Sequence, residues 1–140
     1  MTERPTGLTR DAGWEIGVSR TVPIPLAEVW DFLTSAEGAA VWLGAGVQRL
    51  DEPGDAYQTA AGTSGQIRSF RPLDRLRLTW QPPDWAHDST VQVTVSSAGA
   101  GRTIVRFHQD RLADADEREQ QRAHWRGVLD ALVAELENRA

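Results

Sequence analysis

The chain has 140 residues, 40 % hydrophobic and 25 % charged, which is one domain's worth of an ordinary globular composition. Its 20 acidic residues against 15 basic ones (all arginine) give a formal charge of −5, which argues against a non-specific nucleic-acid binder, since that needs a basic face to release counterions. With no cysteine, disulfides, thiolate metal sites and cysteine nucleophiles are excluded.

The opening "MTERPTGLTRDAG" is polar, with no apolar stretch of the kind a secretory signal carries. Residues 1–12 read as a flexible tail, and residues 13–140 as a single domain. No run reaches the roughly 18 apolar residues of a membrane span, so a cytoplasmic location is expected. "WEIGVSRTV" alternates, with Ile16, Val18 and Val22 on one face, and predicts a strand. In "PIPLAEVWDFLTSAEGAAVWLG", Pro25 suits a first helical position, and Val29, Trp30 and Leu33 give a short amphipathic helix. Ser35 is placed to cap a second helix that ends near Gly44, after Trp42.

From Gly46 to Asp110 the period becomes two. "GVQRL", "AYQTA", "GQIRSF", "DRLRLTWQ", "STVQVTVSS" and "RTIVRFHQ" alternate with turn formers such as "EPGD", "GTSG", "RPLD" and "AGAG". Five or six strands on short connections predict an antiparallel meander. Leu76, Leu78, Trp80, Val91, Val93, Val95, Val105 and Phe107 fall on a dry face, and Arg75, Arg77, Thr90, Gln92, Thr94 and Arg106 on a wet one.

A closing helix is expected from near Asp114, with Glu117 completing a capping box, to about Asn138. Trp125, Val128, Leu129, Leu132, Val133 and Leu136 fall at i, i+3, i+4, i+7, i+8 and i+11, one apolar stripe that must lie on the sheet's dry face.

Little of this sequence reads as catalytic machinery. His87, His108 and His124 have no metal-ligand spacing, and Ser64, Ser89 and Ser97 sit in no G-x-S-x-G. Asp114, Asp116 and Glu117 read as helix capping, since the glycine and ligand spacing of a calcium loop are missing. No cofactor and no metal site is expected. Trp42, Trp80 and Trp125 take inward positions on separate elements, and Trp85 follows the "PPD" turn at the sheet rim. Large core fillers are one account of them. Gln109 continues the inward parity of Val105 and Phe107, so its amide needs a partner, whether protein, water or ligand. Going back from Trp125, the helix stripe turns polar at Arg122, Gln121 and Arg118, as either a cavity mouth or an overhang into solvent. Arg20 shares the parity of Val18 and Val22, as a buried anchor or a strand-end arginine reaching water.

The order strand, two short helices, meander, long helix resembles the helix-grip arrangement of the START-like (SRPBCC) superfamily. "SRTVPIPLAEVWDFLTSAEGAAVWLG", "GQIRSFRPLDRLRLTW", "DSTVQVTV", "GRTIVRFHQDRL" and "HWRGVLDALVAELE" are similar to motifs of bacterial proteins related to the C-terminal domain of the activator of the heat-shock protein 90 ATPase. The likeness runs from about Trp14 to Glu137. It implies an α+β helix-grip fold, with a curved antiparallel sheet around the C-terminal helix. It also implies a non-enzymatic domain binding a small hydrophobic or aromatic molecule in a cavity between sheet and helix, walled by Trp42, Trp80, Trp85, Phe107, Gln109, Arg122, Trp125 and Leu129. Two alternatives stay open. One is a protein-interaction or co-chaperone-like module of the stress response, monomeric or homodimeric. The other is a cyclase- or hydrolase-type enzyme, which would need an inward acid–base pair. Neither nucleic acid nor membrane is expected as a partner.

Overall fold

The computed structural model describes Leu8–Thr9, residues 13–48 and residues 50–139. In chain order the elements are β1 (Leu8–Thr9), β2 (Gly13–Val22), α1 (Leu26–Thr34), α2 (Ala36–Trp42), β3 (Ala56–Gln58), β4 (Ser64–Arg71), β5 (Arg75–Trp80), β6 (Ser89–Ser97), β7 (Thr103–Leu112) and α3 (Ala115–Arg139). The strands form one antiparallel sheet in the order β1-β2-β7-β6-β5-β4-β3, so β2 joins the meander beside β7. The sheet curves around α3, and the α+β helix-grip arrangement expected from the sequence is the one observed.

Local chemistry sets the helix ends. Pro25 has φ −59° and ψ 147°, and its carbonyl accepts from Val29 N at 3.1 Å. It therefore stands one residue before the helix, where it was expected to be the first residue inside it. Ser35 ends one helix and begins the next: its hydroxyl donates to Phe32 O at 2.7 Å and accepts from Gly38 N at 3.0 Å. A Cβ on Gly38 would stand 1.7 Å from Phe32 O, so the tight α1–α2 corner requires glycine. At the start of α3, Glu117 N donates to Asp114 Oδ1 at 2.7 Å, and Glu117 Oε1 accepts from Ala113 N at 3.0 Å. This is the expected box, with the return bond one residue earlier than the usual partner.

Three expectations change. Residues 46–48 and Leu50 make no strand. Gly44 and Gly46 have φ of 141° and 98°, which breaks the extended path, yet Val47 and Leu50 are buried without a ladder; Arg49 lies outside the described residues. In the tail, Leu8 and Thr9 pair with Trp14 and Gly13, while the remainder of residues 1–12 lies outside the described residues. Thr90, assigned to the wet face, is buried.

Parity slips once in β4, between Ile67 and Ser69, and on β7 it holds until Gln109. Ile16 pairs with Gln109 but Trp14 pairs with Leu112, so β7 carries one extra residue, and Arg111 takes a left-handed φ of 60°. This bulge returns Leu112 to the buried side. Every residue of the α3 stripe from Trp125 to Leu136 is buried, and α3 packs on β2, β7 and α2.

Candidate ligand site at the helix–sheet interface

A run of rings joins four elements. Phe107 of β7 and Trp125 of α3 stack with centroids 5.0 Å apart and planes 14° apart, both fully buried. Trp42 of α2 leans on Phe107 at 5.7 Å, held by its Nε1–H donating to Leu33 O at 2.9 Å. Trp80 of β5 lies 5.8 Å from Trp125, and His124 meets Trp125 edge-on at 4.7 Å. At the rim, Trp85 stands perpendicular to Trp80 at 5.2 Å and carries His87 stacked on it at 4.8 Å. Such pairs are worth about 0.5–1.5 kcal/mol each beyond the area they bury. A ring sandwiched between two others needs about 7 Å between its neighbours, twice a carbon–carbon contact. At 5.8 Å, Trp80 and Trp125 touch, and no third ring fits between them in this arrangement.

Gln109, with 0 % of its surface exposed, finds its partners inside the protein. Trp125 Nε1–H donates to Gln109 Oε1 at 2.7 Å, Gln109 Nε2–H donates to Ser89 Oγ at 2.9 Å, and Ser89 Oγ–H donates to Trp80 O at 2.8 Å. Ser89 is the member that the sequence reading missed. Its parity with Val91, Val93 and Val95 was the available signal, because a hydroxyl on a dry face needs a partner.

Besides His87 Nε2 at the rim, two buried polar atoms of the same region have no partner: Trp80 Nε1 and Gln121 Oε1. Their residues are 6 % and 7 % exposed. Gln121 lies one turn before Trp125 on α3, and Trp80 touches Trp125 and His124, so both residues neighbour Trp125.

The structure therefore brings Trp42, Trp80, Trp85, Phe107, Gln109 and Trp125 together. Arg122 stays apart, its side chain 41 % exposed and 4.0 Å from Glu119, with no ring or hydrogen-bond contact to the cluster. Leu129, one turn beyond Trp125, borders a separate surface groove of about 390 Å³ with Gly17, Val18, Ser19, Arg20, Arg126 and Asp130. Arg20 reaches solvent there and pairs with Asp130. Arg118 folds back, its Nε–H donating to Glu15 O at 2.8 Å.

Residues 81–88 cover the rim. Gln81 Nε2–H donates to Trp85 O at 2.8 Å, His87 Nε2 faces Glu117 Oε1 at 2.9 Å without good hydrogen-bond alignment, and Asp88 pairs with Arg111. His87 Nδ1 is 2.8 Å from Asp88 O, while Nε2 stands beside Glu117 without a hydrogen-bond partner.

A scan of family models matches residues 23–137 to the Activator of Hsp90 ATPase homolog 1-like protein family. The chain belongs to that family. No match is found among curated proteins. Among solved structures, DynU16, a putative protein in the dynemicin biosynthetic locus, is 23 % identical with a TM-score of 0.74; the match covers 88 % of this chain and 47 % of that one, so the chain spans about half its length. CalU16 from Micromonospora echinospora is 22 % identical with a TM-score of 0.76, covering 91 % and 80 %. PFC0360w, an HSP90 activator from Plasmodium falciparum, is 15 % identical with a TM-score of 0.68, covering 81 % and 88 %. At these identities the likenesses show a shared fold alone. Among the described residues no three His, Asp or Glu side chains are grouped to hold a metal ion, and no helix is long and apolar enough to cross a membrane.

Burial pushes the pKa of His124 below its ordinary value of 6.5. The unfolded chain then takes up the proton first, so the stability tied to neutral His124 is complete above the unfolded value and is lost as pH falls through the lowered folded one. His124→Phe keeps a ring at this position and removes the titration. Between about pH 8 and about pH 5 the variant is expected to lose less unfolding free energy than the parent. Equal losses in urea titrations at the two pH values would show that His124 is protonated without cost.

Proposed function

We propose that this family member binds a small, flat, largely apolar molecule carrying a hydroxyl, received at the rim end of the ring cluster beneath residues 81–88. The observation that supports this is the pair of unpartnered buried atoms, Trp80 Nε1 and Gln121 Oε1. A buried polar group without a partner costs about 1–3 kcal/mol. An indole N–H only donates, so the occupant has to offer an acceptor there; a hydroxyl does so and has a proton left for an amide oxygen. Trp80 and Trp85 supply the apolar faces. Because Trp80 and Trp125 already touch, the occupant enters by displacing Trp80 or Trp85 together with the covering segment.

Naphthol and naphthalene are suitable paired probes. Naphthol is expected to quench tryptophan fluorescence saturably, to raise the melting temperature by mass action, and to bind more tightly than naphthalene. Trp80→Phe keeps a ring but removes the N–H, and Gln121→Leu removes the amide; each should erase the preference for naphthol. Equal binding of the two probes would refute the hydroxyl requirement alone. Binding of neither would refute the ligand reading.

A second reading, a protein-interaction module, is favoured by the direct contact of Trp80 with Trp125 and by the internal satisfaction of Gln109. In that case the helix–sheet interface is packing, and function lies on the surface. The named role of the Plasmodium falciparum relative is consistent with this. Against it, Leu73 is the one large hydrophobic side chain exposed among the described residues.

A further inference from the structure

We infer that the outer face of the sheet, turned away from α3, is a docking surface for an extended, carboxylate-rich segment of a partner protein. The registers place Ser19, Arg106, Thr94, Arg75 and Arg71 in one row across β2, β7, β6, β5 and β4. The next row is Gly17, His108, Gln92, Arg77 and Ser69. Glu15 and Asp110 lie at the far end, where Glu15 is 3.7 Å from His108 and Asp110 is 3.9 Å from Arg77. The acids of this face therefore sit beside His108 and Arg77 in the second row, and the first row is left with three bare arginines. Among the described residues, Arg71, Arg75 and Arg106 make no side-chain ion pair or hydrogen bond, and the buried Nε of Arg75 has no partner.

Arg71 and Arg75 are directly opposite one another, an arrangement that is destabilising for like charges unless an anion joins them. The Arg106 guanidinium lies over Gly17, where the absence of a side chain leaves it room: a Cβ there would come within 2.9 Å of Nη2.

The spacing suits an extended peptide. Arg71 and Arg75 face each other on adjacent strands, about 4.8 Å apart, within reach of side chains i and i+2 of a second extended chain, about 6.8 Å apart. Arg106 lies two strands from Arg75, roughly 10 Å away. A nucleic acid fits less well, because its charge continues past this small patch onto a protein of net charge −5. This inference is independent of the ligand site on the opposite face.

The test uses the full chain and a fluorescein-labelled peptide alternating Glu with Thr, with a Gln–Thr peptide, inorganic phosphate and a single-stranded oligonucleotide as comparisons. The Glu peptide is expected to bind by anisotropy, and to weaken several-fold when salt rises from about 0.05 M to about 0.2 M. Arg75→Gln combined with Arg106→Gln should raise its Kd about tenfold, as two charge-assisted contacts are lost. Gly17→Ala keeps the charge count but pushes the Arg106 guanidinium aside, and should raise Kd by a smaller factor. Far-UV circular dichroism confirms that each variant folds. The inference is overturned if the Glu peptide does not bind, if the variants bind it equally well, if the oligonucleotide binds more tightly, or if phosphate alone is retained.

Discussion

Ending the chain at Gly127 is expected to abolish cooperative folding. The cut removes Val128, Leu129, Leu132, Val133 and Leu136, all buried against the sheet and the α2 helix. At about 1.5–3 kcal/mol for each buried aliphatic side chain, the loss is of the order of 10 kcal/mol. That is comparable to the whole stability of a domain this size, about 5–15 kcal/mol. It also uncovers Val18, Val93, Val95 and Val105 on the inner face, so the fragment should aggregate. Leu132→Ala, at a position 1 % exposed, is the graded version and should cost about 2–5 kcal/mol in a denaturant titration. A soluble fragment 1–127 with a sharp melting transition would contradict the role given to α3.

Gln109→Leu is expected to destabilise the protein by about 1–3 kcal/mol, through the stranded donor of Trp125. From the sequence alone the same change looks nearly free, since it removes a polar group from an apolar stripe. The hydrogen-bond chain reverses that expectation: without the amide, Trp125 Nε1 has no acceptor and Ser89 Oγ loses a donor. A double-mutant cycle with Trp125→Phe isolates the effect. Trp125→Phe should cost less in the Gln109→Leu background than in the parent, because the N–H it removes is already unpaired there. Strict additivity in urea titrations would mean that the Trp125–Gln109 bond contributes nothing to stability.

Features governed by neighbours in the chain were legible in the sequence. The α3 stripe, the Ser35 cap, the Asp114–Glu117 box and the two faces of β5, β6 and β7 all follow from side-chain periodicity and hydrogen bonds over three or four residues. The same parity placed Trp80, Phe107, Gln109 and Trp125 together on the inner side. What parity leaves open is the distance between elements brought together from far apart in the sequence. Only the tertiary structure closes Trp80 onto Trp125, gives Gln109 both of its partners, and leaves Trp80 Nε1 and Gln121 Oε1 without any. It also decides that Val47 and Leu50 are buried from a loop, because a strand requires a ladder partner as well as alternation, and that Arg122 makes no contact with the cluster. Periodicity says which side a residue faces; the packing of distant elements decides what it meets there.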